Sequence, residues 1–230
     1  METETILAGH RVIIRRKRVK NMNMRLQGGA DGVLVRISAP ARVSMQEIAA
    51  FVAEKSDWIT RNSAKLAARA PAPLSYADGA LHPLWGTRYP LRLKEVGRGQ
   101  GAEFDGTAWQ LRARPDASEA KKAALMEAAY QQALSAKAVP LMAQWAAKMG
   151  VEPKQLKTQK MRSRWGSCHV TRGIIKLNSE LARKDEALLE YVLVHELVHL
   201  FERGHNARFY AFMDKYLPDW RTRKQQLNAG

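Results

Sequence analysis

Apolar and polar residues alternate in short runs through the first half of the chain, a pattern typical of half-buried strands. The clearest runs lie between 12 and 37, where a glycine-rich stretch at 28–32 predicts a hairpin turn. A capping-box motif then opens a stretch of apolar residues at helical spacing, which predicts one helix over 44–67. Further short strands, interrupted by glycines, are predicted from 81 to 114. The N-terminal region, 1–115, is therefore predicted to be strand-rich with one helix.

Helical spacing of apolar residues dominates the second half of the chain. Helices are predicted from 118 to 149, from 185 to about 203 and from 206 to 218, with a β-hairpin between 155 and 178. Gly150 and Gly204 are the expected helix stops, because glycine tolerates the left-handed conformation in which many helices end. We therefore predict the α+β class, with a second domain over 116–230 that combines a buried helix with the hairpin.

The composition is that of a globular protein, with 46% hydrophobic and 26% charged residues. No uninterrupted apolar run approaches the roughly 20 residues of a membrane-spanning helix, so no membrane partner is expected. The first residues, Met1–Glu4, are acidic and no apolar segment follows, which argues against a secretory signal. A single cysteine, Cys168, excludes an internal disulfide and fits a reducing compartment. We therefore expect a cytoplasmic protein.

The chain carries a net charge of +16, concentrated in two zones that lack acidic residues. The segments 6–30 and 153–178 each hold seven Arg or Lys residues. A charge of this size attracts polyanions, so nucleic acid and phosphate-bearing molecules are candidate partners. Basic residues on exposed strands also discourage edge-to-edge pairing of sheets, and this purely structural explanation stays open.

The most informative motif is H-E-x-x-H, from His195 to His199, within the helix predicted from 185. Histidines four residues apart lie on one face of a helix, within reach of a single metal ion. Glu196 projects about 100° around the helix from His195, where its carboxylate can hold a water molecule on the ion and act as a general base. The flanking residues are apolar nearly all round, so the helix is predicted to be buried. Ionisable groups in such a helix need a partner, and a metal ion is the most economical one.

A catalytic zinc ion commonly has three protein ligands, so a third ligand is expected near the motif. His205 is the preferred candidate, because it follows His199 by six residues and lies just after Gly204, where a left-handed turn would bring the chain back. The metzincin motif places its third histidine at the same offset, but Glu202 occupies the position of the metzincin glycine here. Glu202 is therefore an alternative ligand, or a group that orients an imidazole. One zinc ion per chain is expected.

Several segments resemble, in order and spacing, those of the YgjP-like metal-dependent hydrolases, which are related to the SprT-like and WLM zinc peptidases. These segments are Met161–Cys168, Ile175–Asn178, Tyr191–Leu200, His205, Phe209 and Leu217–Asp219. The resemblance is specific from about 162 to 220 and extends over about 12–225 as one unit. It implies a zincin-like C-terminal part with an active-site helix, His195, His199 and His205 as metal ligands, and Glu196 as the base. Departures from the family pattern at Gly204, at Asn206 and at Lys184 and Asp185 remove none of these groups.

Basic residues occupy alternate positions before Cys168. If 157–165 forms a strand, Lys160, Arg162 and Arg164 share one of its faces. A row of cations suits phosphates or a carboxylate, whereas an extended peptide would pair with the strand backbone; a solvated strand face is the third explanation. Asn178, which ends the second hairpin strand, completes the predicted set of substrate-binding residues.

Three functions are compatible with these residues. The favoured one is a zinc-dependent hydrolase of the metallopeptidase type, in which Glu196 activates a metal-bound water against a peptide or related bond. The second directs the same centre at the phosphoanhydride of a nucleoside triphosphate, as in a pyrophosphatase. The third is a nucleic-acid-associated protein whose zinc ion is structural. The expected partner is accordingly a peptide, a phosphate-bearing small substrate or nucleic acid.

Overall fold

The computed structural model describes residues 2–29, 32–69 and 74–229, and it divides into two compact units, Met1–Pro73 and Leu74–Gly230. The strands predicted between 81 and 114 belong to the second unit, because their apolar residues join the core formed by the C-terminal helices. The predicted domain boundary after 115 therefore differs from the division in the structure. Residues 30 and 31 of the predicted hairpin turn lie outside the described residues.

The first unit contains a four-stranded sheet whose core side packs against two helices. Its strands are β1 (Glu2–Leu7), β2 (His10–Lys17), β3 (Asn23–Gly29) and β4 (Gly32–Pro40), in the order β1-β2-β4-β3. β2 and β4 run parallel, and the other neighbouring pairs are antiparallel. Alternate residues of β2 and β4, such as Val12 and Val35, are buried together with apolar residues of the helices.

The helix predicted over 44–67 is present but interrupted. α1 covers Met45–Glu54 and α2 covers Ser56–Arg69. The predicted capping box is present at the start of α1, where the backbone N–H of Ser44 donates to the carboxylate of Glu47 (2.6 Å) and the Ser44 hydroxyl accepts from the Glu47 N–H (3.2 Å). The reciprocal bonds satisfy donors that the first helical turn leaves unpaired.

Four strands of the second unit form a sheet in the order β5-β6-β8-β7. They are β5 (Leu81–Leu84), β6 (Thr87–Glu95), β7 (Gly101–Phe104) and β8 (Trp109–Ala113), which confirms the strands predicted in this part of the chain. The long helix α3 (Glu119–Met149) contacts β7 and β8. Ser118 caps its start, and Gly150 ends it in the left-handed conformation with a φ of 69°, as predicted.

A three-stranded sheet contains the hairpin. Its strands are β9 (Gln155–Gln159), β10 (Gly166–His169) and β11 (Ile174–Asn178), in the order β10-β11-β9. β10 and β11 form an antiparallel hairpin that turns at Gly173, as predicted. β9 runs parallel to β11 and pairs with it as far as Gln159, opposite the last residue of β11. The strand predicted over 157–165 is therefore wrong beyond Gln159, because β11 offers no further residues for pairing.

Three helices complete the second unit: α4 (Glu186–Val198), α5 (Ala207–Tyr216) and α6 (Trp220–Ala229). α4 contacts α3, α5, α6, β10 and β11, and these neighbours cover the apolar residues on all its sides. α5 confirms the last predicted helix, and α6 is additional. The described residues thus form an α+β fold, as predicted. No helix in the described part of the chain has the length and apolar character needed to cross a membrane.

Candidate metal centre

The H-E-x-x-H motif lies at the end of α4, with His195 in the last turn and His199 as the residue that caps the helix. The carboxylate of Asp185 caps the start of the helix by accepting a hydrogen bond from the N–H of Ala187 (2.8 Å). His195 and His199 lie one helical turn apart, and their ring centroids are 5.1 Å from each other. Because most of α4 is buried, the helix is a rigid support for both imidazoles.

The turn after α4 orients the second of these imidazoles. α4 ends at Val198 rather than near 203, because the N–H groups of Leu200 and Phe201 bond to carbonyls three residues back and tighten the chain. The carbonyl of Glu202 then accepts a hydrogen bond from the Nδ1–H of His199 (3.1 Å). A carbonyl can only accept, so this bond fixes the tautomer of His199 and leaves its Nε2 free for a metal ion.

Glu202 has a supporting position beside the three histidines. Its carboxylate accepts a hydrogen bond from the N–H of Gly204 (3.4 Å), and it is not one of the residues whose ligand atoms converge. Gly204 does not have the positive φ that the sequence led us to expect. The chain reverses instead through the tightened turn after Val198. Of the two roles considered for Glu202, the geometry matches the orienting one, through its backbone carbonyl.

The three predicted histidines converge. The Nε2 atoms of His195 and His205 lie 3.0 Å apart, and the candidate ligand atoms of all three residues lie within 4.8 Å of one another. Phe209 is buried beneath them, with its ring centroid 4.6 to 4.9 Å from each imidazole. Three imidazole nitrogens packed against a buried aromatic ring fit a divalent ion such as zinc, which binds imidazole readily. Their role as ligands stays a prediction.

Two of these imidazoles are held in the neutral form. Burial, followed by the charges of His199, His205 and Lys224, lowers the pKa of His195 to about 3. Burial is also the main cause that lowers the pKa of His205. Neutral imidazole is the form that coordinates a metal ion, so neither ring has to lose a proton before binding at neutral pH.

Glu196 lies beside the histidines with an unpaired carboxylate. The residue is 6% exposed, and no residue in the described ranges donates a hydrogen bond to its carboxylate. Burial raises the pKa of Glu196 to about 8, and the charge of Arg164 opposes this shift. A buried carboxylate without a donor is costly, and a water molecule on a neighbouring metal ion would satisfy it. The orphaned group therefore fits a metal centre.

Gly166, at the start of β10, makes room for this carboxylate. A Cβ atom added there would lie 2.7 Å from Oε1 and 2.8 Å from Cγ of Glu196, and 2.9 Å from Cγ1 of Val192. Real Cβ atoms do not approach other atoms so closely, so only glycine lets β10 lie this close to α4. The sequence offered one signal for this position, because Gly166 belongs to a segment that resembles the family pattern.

We expect Gly166→Ala to push the Glu196 side chain out of place. Misplacement of a reacting group by about 1 Å costs on the order of 100-fold in rate, and overpacking costs about 1–3 kcal/mol of stability. Assays of the peptide hydrolysis predicted from the sequence, and of thermal unfolding, measure the two effects. Gly97→Ala is the matched control, because a Cβ atom there meets nothing within 4 Å. An unchanged kcat in Gly166→Ala would show that the reaction does not need the observed position of Glu196.

The structure separates the cations that the sequence placed on one strand face. Lys160 pairs with Glu180 at 3.5 Å, and exposed Arg162 lines neither cavity at the centre. Arg164 lines both of them. Because 160–165 has no partner strand, its side chains do not alternate between two faces. The predicted row of cations is therefore wrong, and Arg164 alone of the three reaches the centre.

Asn178 supports the loop before β10. Its side chain is buried, its amide nitrogen donates to the carbonyls of Met161 (3.0 Å) and Arg164 (2.8 Å), and its amide oxygen accepts from the N–H of Met161 (3.2 Å). Its backbone N–H donates to the carbonyl of Trp165 (2.8 Å). These bonds occupy the amide, so the predicted contact of Asn178 with substrate is not supported. Asn178 instead holds the backbone that carries Arg164.

Two cavities meet over His195 and Glu196 and together form a groove. They share Arg164, Gly166, His195 and Glu196. The first cavity, of about 230 Å³, is completed by Trp165, Tyr191, Val192, Lys224, Leu227 and Asn228. The second, of about 380 Å³, is completed by Ser167, Cys168, Val170, His199, Arg203 and His205. Sequence reasoning missed Lys224, because α6 buries few apolar residues and nothing local relates it to α4.

Residues 22–230 match the family model described as YgjP-like, metallopeptidase domain. Among solved structures, the metallopeptidase zymogen of Pyrococcus abyssi abylysin is 18% identical, with a TM-score of 0.37 over 39% of this chain and 90% of that one. The zymogen of Methanocaldococcus jannaschii jannalysin is 17% identical, with a TM-score of 0.37 over 40% and 94%. Comparison with curated protein sequences yields no match.

Proposed function

Because the chain belongs to the YgjP-like metallopeptidase family, we propose that it is a zinc-dependent hydrolase that cleaves peptide or closely related bonds. The observation that carries this proposal is the convergence of three imidazoles beside a buried carboxylate with no protein donor. Structural zinc sites are commonly closed by four protein ligands, whereas three ligands leave a position for water. The donor set therefore favours a catalytic ion, one per chain.

Each residue of the centre has a distinct task in this reaction. His195, His199 and His205 would hold the ion, which when bound would supply activation of a water molecule and polarisation of the substrate carbonyl. The carboxylate of Glu196 accepts a proton from the attacking water and passes it to the leaving amine. The raised pKa of Glu196 favours the protonated carboxyl group that exists after the proton has been accepted. The charge of Arg164 favours the ionised carboxylate with which the reaction starts.

The edge of the three-stranded sheet offers a place for an extended peptide. β10 is one of the two edge strands, and its residues Gly166, Ser167 and Cys168 line the groove. A free strand edge presents backbone donors and acceptors that pair with a peptide of almost any sequence. A peptide added there would pass over His195 and Glu196, where the two cavities meet.

Parallel assays separate this proposal from the two alternatives. Purified zinc-loaded protein is tested on an unstructured peptide, on nucleoside triphosphates and on duplex DNA at several salt concentrations. We expect peptide cleavage that a chelator removes and added zinc restores. Triphosphate hydrolysis without peptide cleavage would favour the phosphoanhydride reaction. DNA binding with a steep salt dependence and no turnover would favour a nucleic-acid-associated protein with structural zinc.

A further inference from the structure

Beyond the electrostatic effect of Arg164 on Glu196, the two cations Arg164 and Lys224 have no task in the reaction described above. Arg164 and Lys224 line the same cavity, the one that His199 and His205 do not line. Neither side chain forms an ion pair with any residue in the described ranges. Glu196 is the only carboxylate among the described residues that line the two cavities. The Lys224 ammonium lies 5.7 Å from the centroid of the Trp220 ring, and the charge of Arg164 acts on Glu196. With two cations and one carboxylate, the cavity carries an excess of positive charge next to the reacting centre.

Both cations are carried by anchored backbone. Asn178 holds the carbonyl of Arg164 at 2.8 Å, as described above. Lys224 belongs to α6, whose Trp220 and Leu227 are buried. The neighbouring Arg223 ties α6 to α4 by donating to the carbonyl of Ala187 at 3.0 Å. The positions of the two charges are thus set by the fold, although the side chains themselves are exposed.

We propose that Arg164 and Lys224 bind a carboxylate of the substrate, one residue away from the bond that is cleaved. This inference rests on the proposed peptidase function and names the substrates it prefers: peptides with a free C-terminus, or with an Asp or Glu side chain, at that position. An Arg and a Lys together match a carboxylate, since Arg makes bidentate contacts and Lys adds a point charge. The cavity, at about 230 Å³, is smaller than the roughly 300–1,000 Å³ of ligand pockets and suits a single residue.

The test begins with the cleavage site. Mass spectrometry of a digested unstructured peptide locates the bond, and four peptides are then built around it. In the short pair, the peptide ends one residue after the bond, either as the free acid or as the amide. In the long pair, the peptide continues beyond that residue, which is either Glu or Gln. We expect kcat/KM to be about tenfold higher for at least one acid than for its neutral partner, as for hydrogen bonds between charged groups.

Substitution of Lys224 tests whether this residue causes the preference for the acidic peptide. In Lys224→Met the ratio of kcat/KM between the acid and its neutral partner is expected to fall to about 1–2, because the contact between the lysine ammonium and the substrate carboxylate is lost. Lys215→Met is the matched control, because Lys215 is an exposed lysine on α5 that lines neither cavity and should leave the ratio unchanged. A preference between the two peptides that end after this residue indicates that the site binds a terminal carboxylate. A preference between the Glu and Gln peptides indicates that it binds a side-chain carboxylate. Equal rates for both acids and their neutral partners in the wild type would overturn the inference and leave the peptidase proposal intact.

A binding measurement covers the case in which no peptide is cleaved. Zinc-loaded Glu196→Gln is titrated calorimetrically with acetyl-Ala-Glu, with acetyl-Ala-Gln amide and with inorganic phosphate, with and without Lys224→Met. Tighter binding of the acidic peptide that depends on Lys224 supports the carboxylate site even if the proposed peptidase function fails. Equal binding of both peptides, or tighter binding of phosphate than of either, would overturn it.

Discussion

Replacing Glu196 with glutamine is expected to lower kcat for peptide hydrolysis by about 10²- to 10⁴-fold, the usual contribution of a general base. Glutamine has nearly the same shape and fits beside Gly166, but its amide cannot accept the proton of the attacking water. Glu196 is not one of the three residues whose ligand atoms converge, so the variant should retain one equivalent of zinc. Steady-state kinetics and metal analysis of the same preparation measure both outcomes.

Glu186→Gln is the matched control for this prediction. Glu186 lies in the first turn of the same helix, is exposed and pairs with Lys137 far along the chain. Exposed pairs contribute little, so its loss should change stability by less than about 1 kcal/mol and leave kcat as it is. If Glu196→Gln kept a kcat within tenfold of the wild type, Glu196 would not be the base.

Replacing His199 with alanine is expected to abolish metal retention. The two imidazoles left, on α4 and before α5, supply too few ligands for a zinc ion, which commonly needs three from the protein. Zinc content after dialysis should fall below about one tenth of an equivalent. Added zinc should also stop stabilising the protein, whereas a ligand at 1,000 times its Kd stabilises the wild type by about 4 kcal/mol.

His169→Ala is the control for metal retention. His169 is an exposed histidine near the groove, but its Nδ1 accepts a hydrogen bond from the N–H of Arg172 and it does not belong to the converging set. This variant should bind zinc as the wild type does. A full equivalent of zinc in His199→Ala would refute the proposed ligand set.

Local sequence pattern is informative where one helix carries the chemistry. The spacing of His195, Glu196 and His199 predicts their arrangement because a helix repeats every 3.6 residues whatever surrounds it. The same reasoning predicts α3 and α5 within a few residues of their ends. His205 follows from its distance along the chain and from the need for a third ligand, and the structure brings its ring to the other two.

Local pattern fails where an element depends on a partner distant in sequence. Alternating cations before Cys168 have the period of a strand, but pairing stops at Gln159, where β11 ends. Asn178 looks like an available polar group, but its amide is occupied by the backbone of the loop before β10. In both cases the deciding interaction joins residues more than ten positions apart, which periodicity does not describe.

The sequence by itself determined the α+β class and the family, and it predicted the histidines and the glutamate of the centre. It could do so because helical spacing and segment order are properties of neighbouring residues. Only the tertiary structure decided that Gly166 receives the Glu196 carboxylate, that Arg164 is the one cation of its segment to reach the groove, and that Lys224 of α6 joins it there. These relations arise when separate elements pack together, and the burial that drives packing depends on the whole chain.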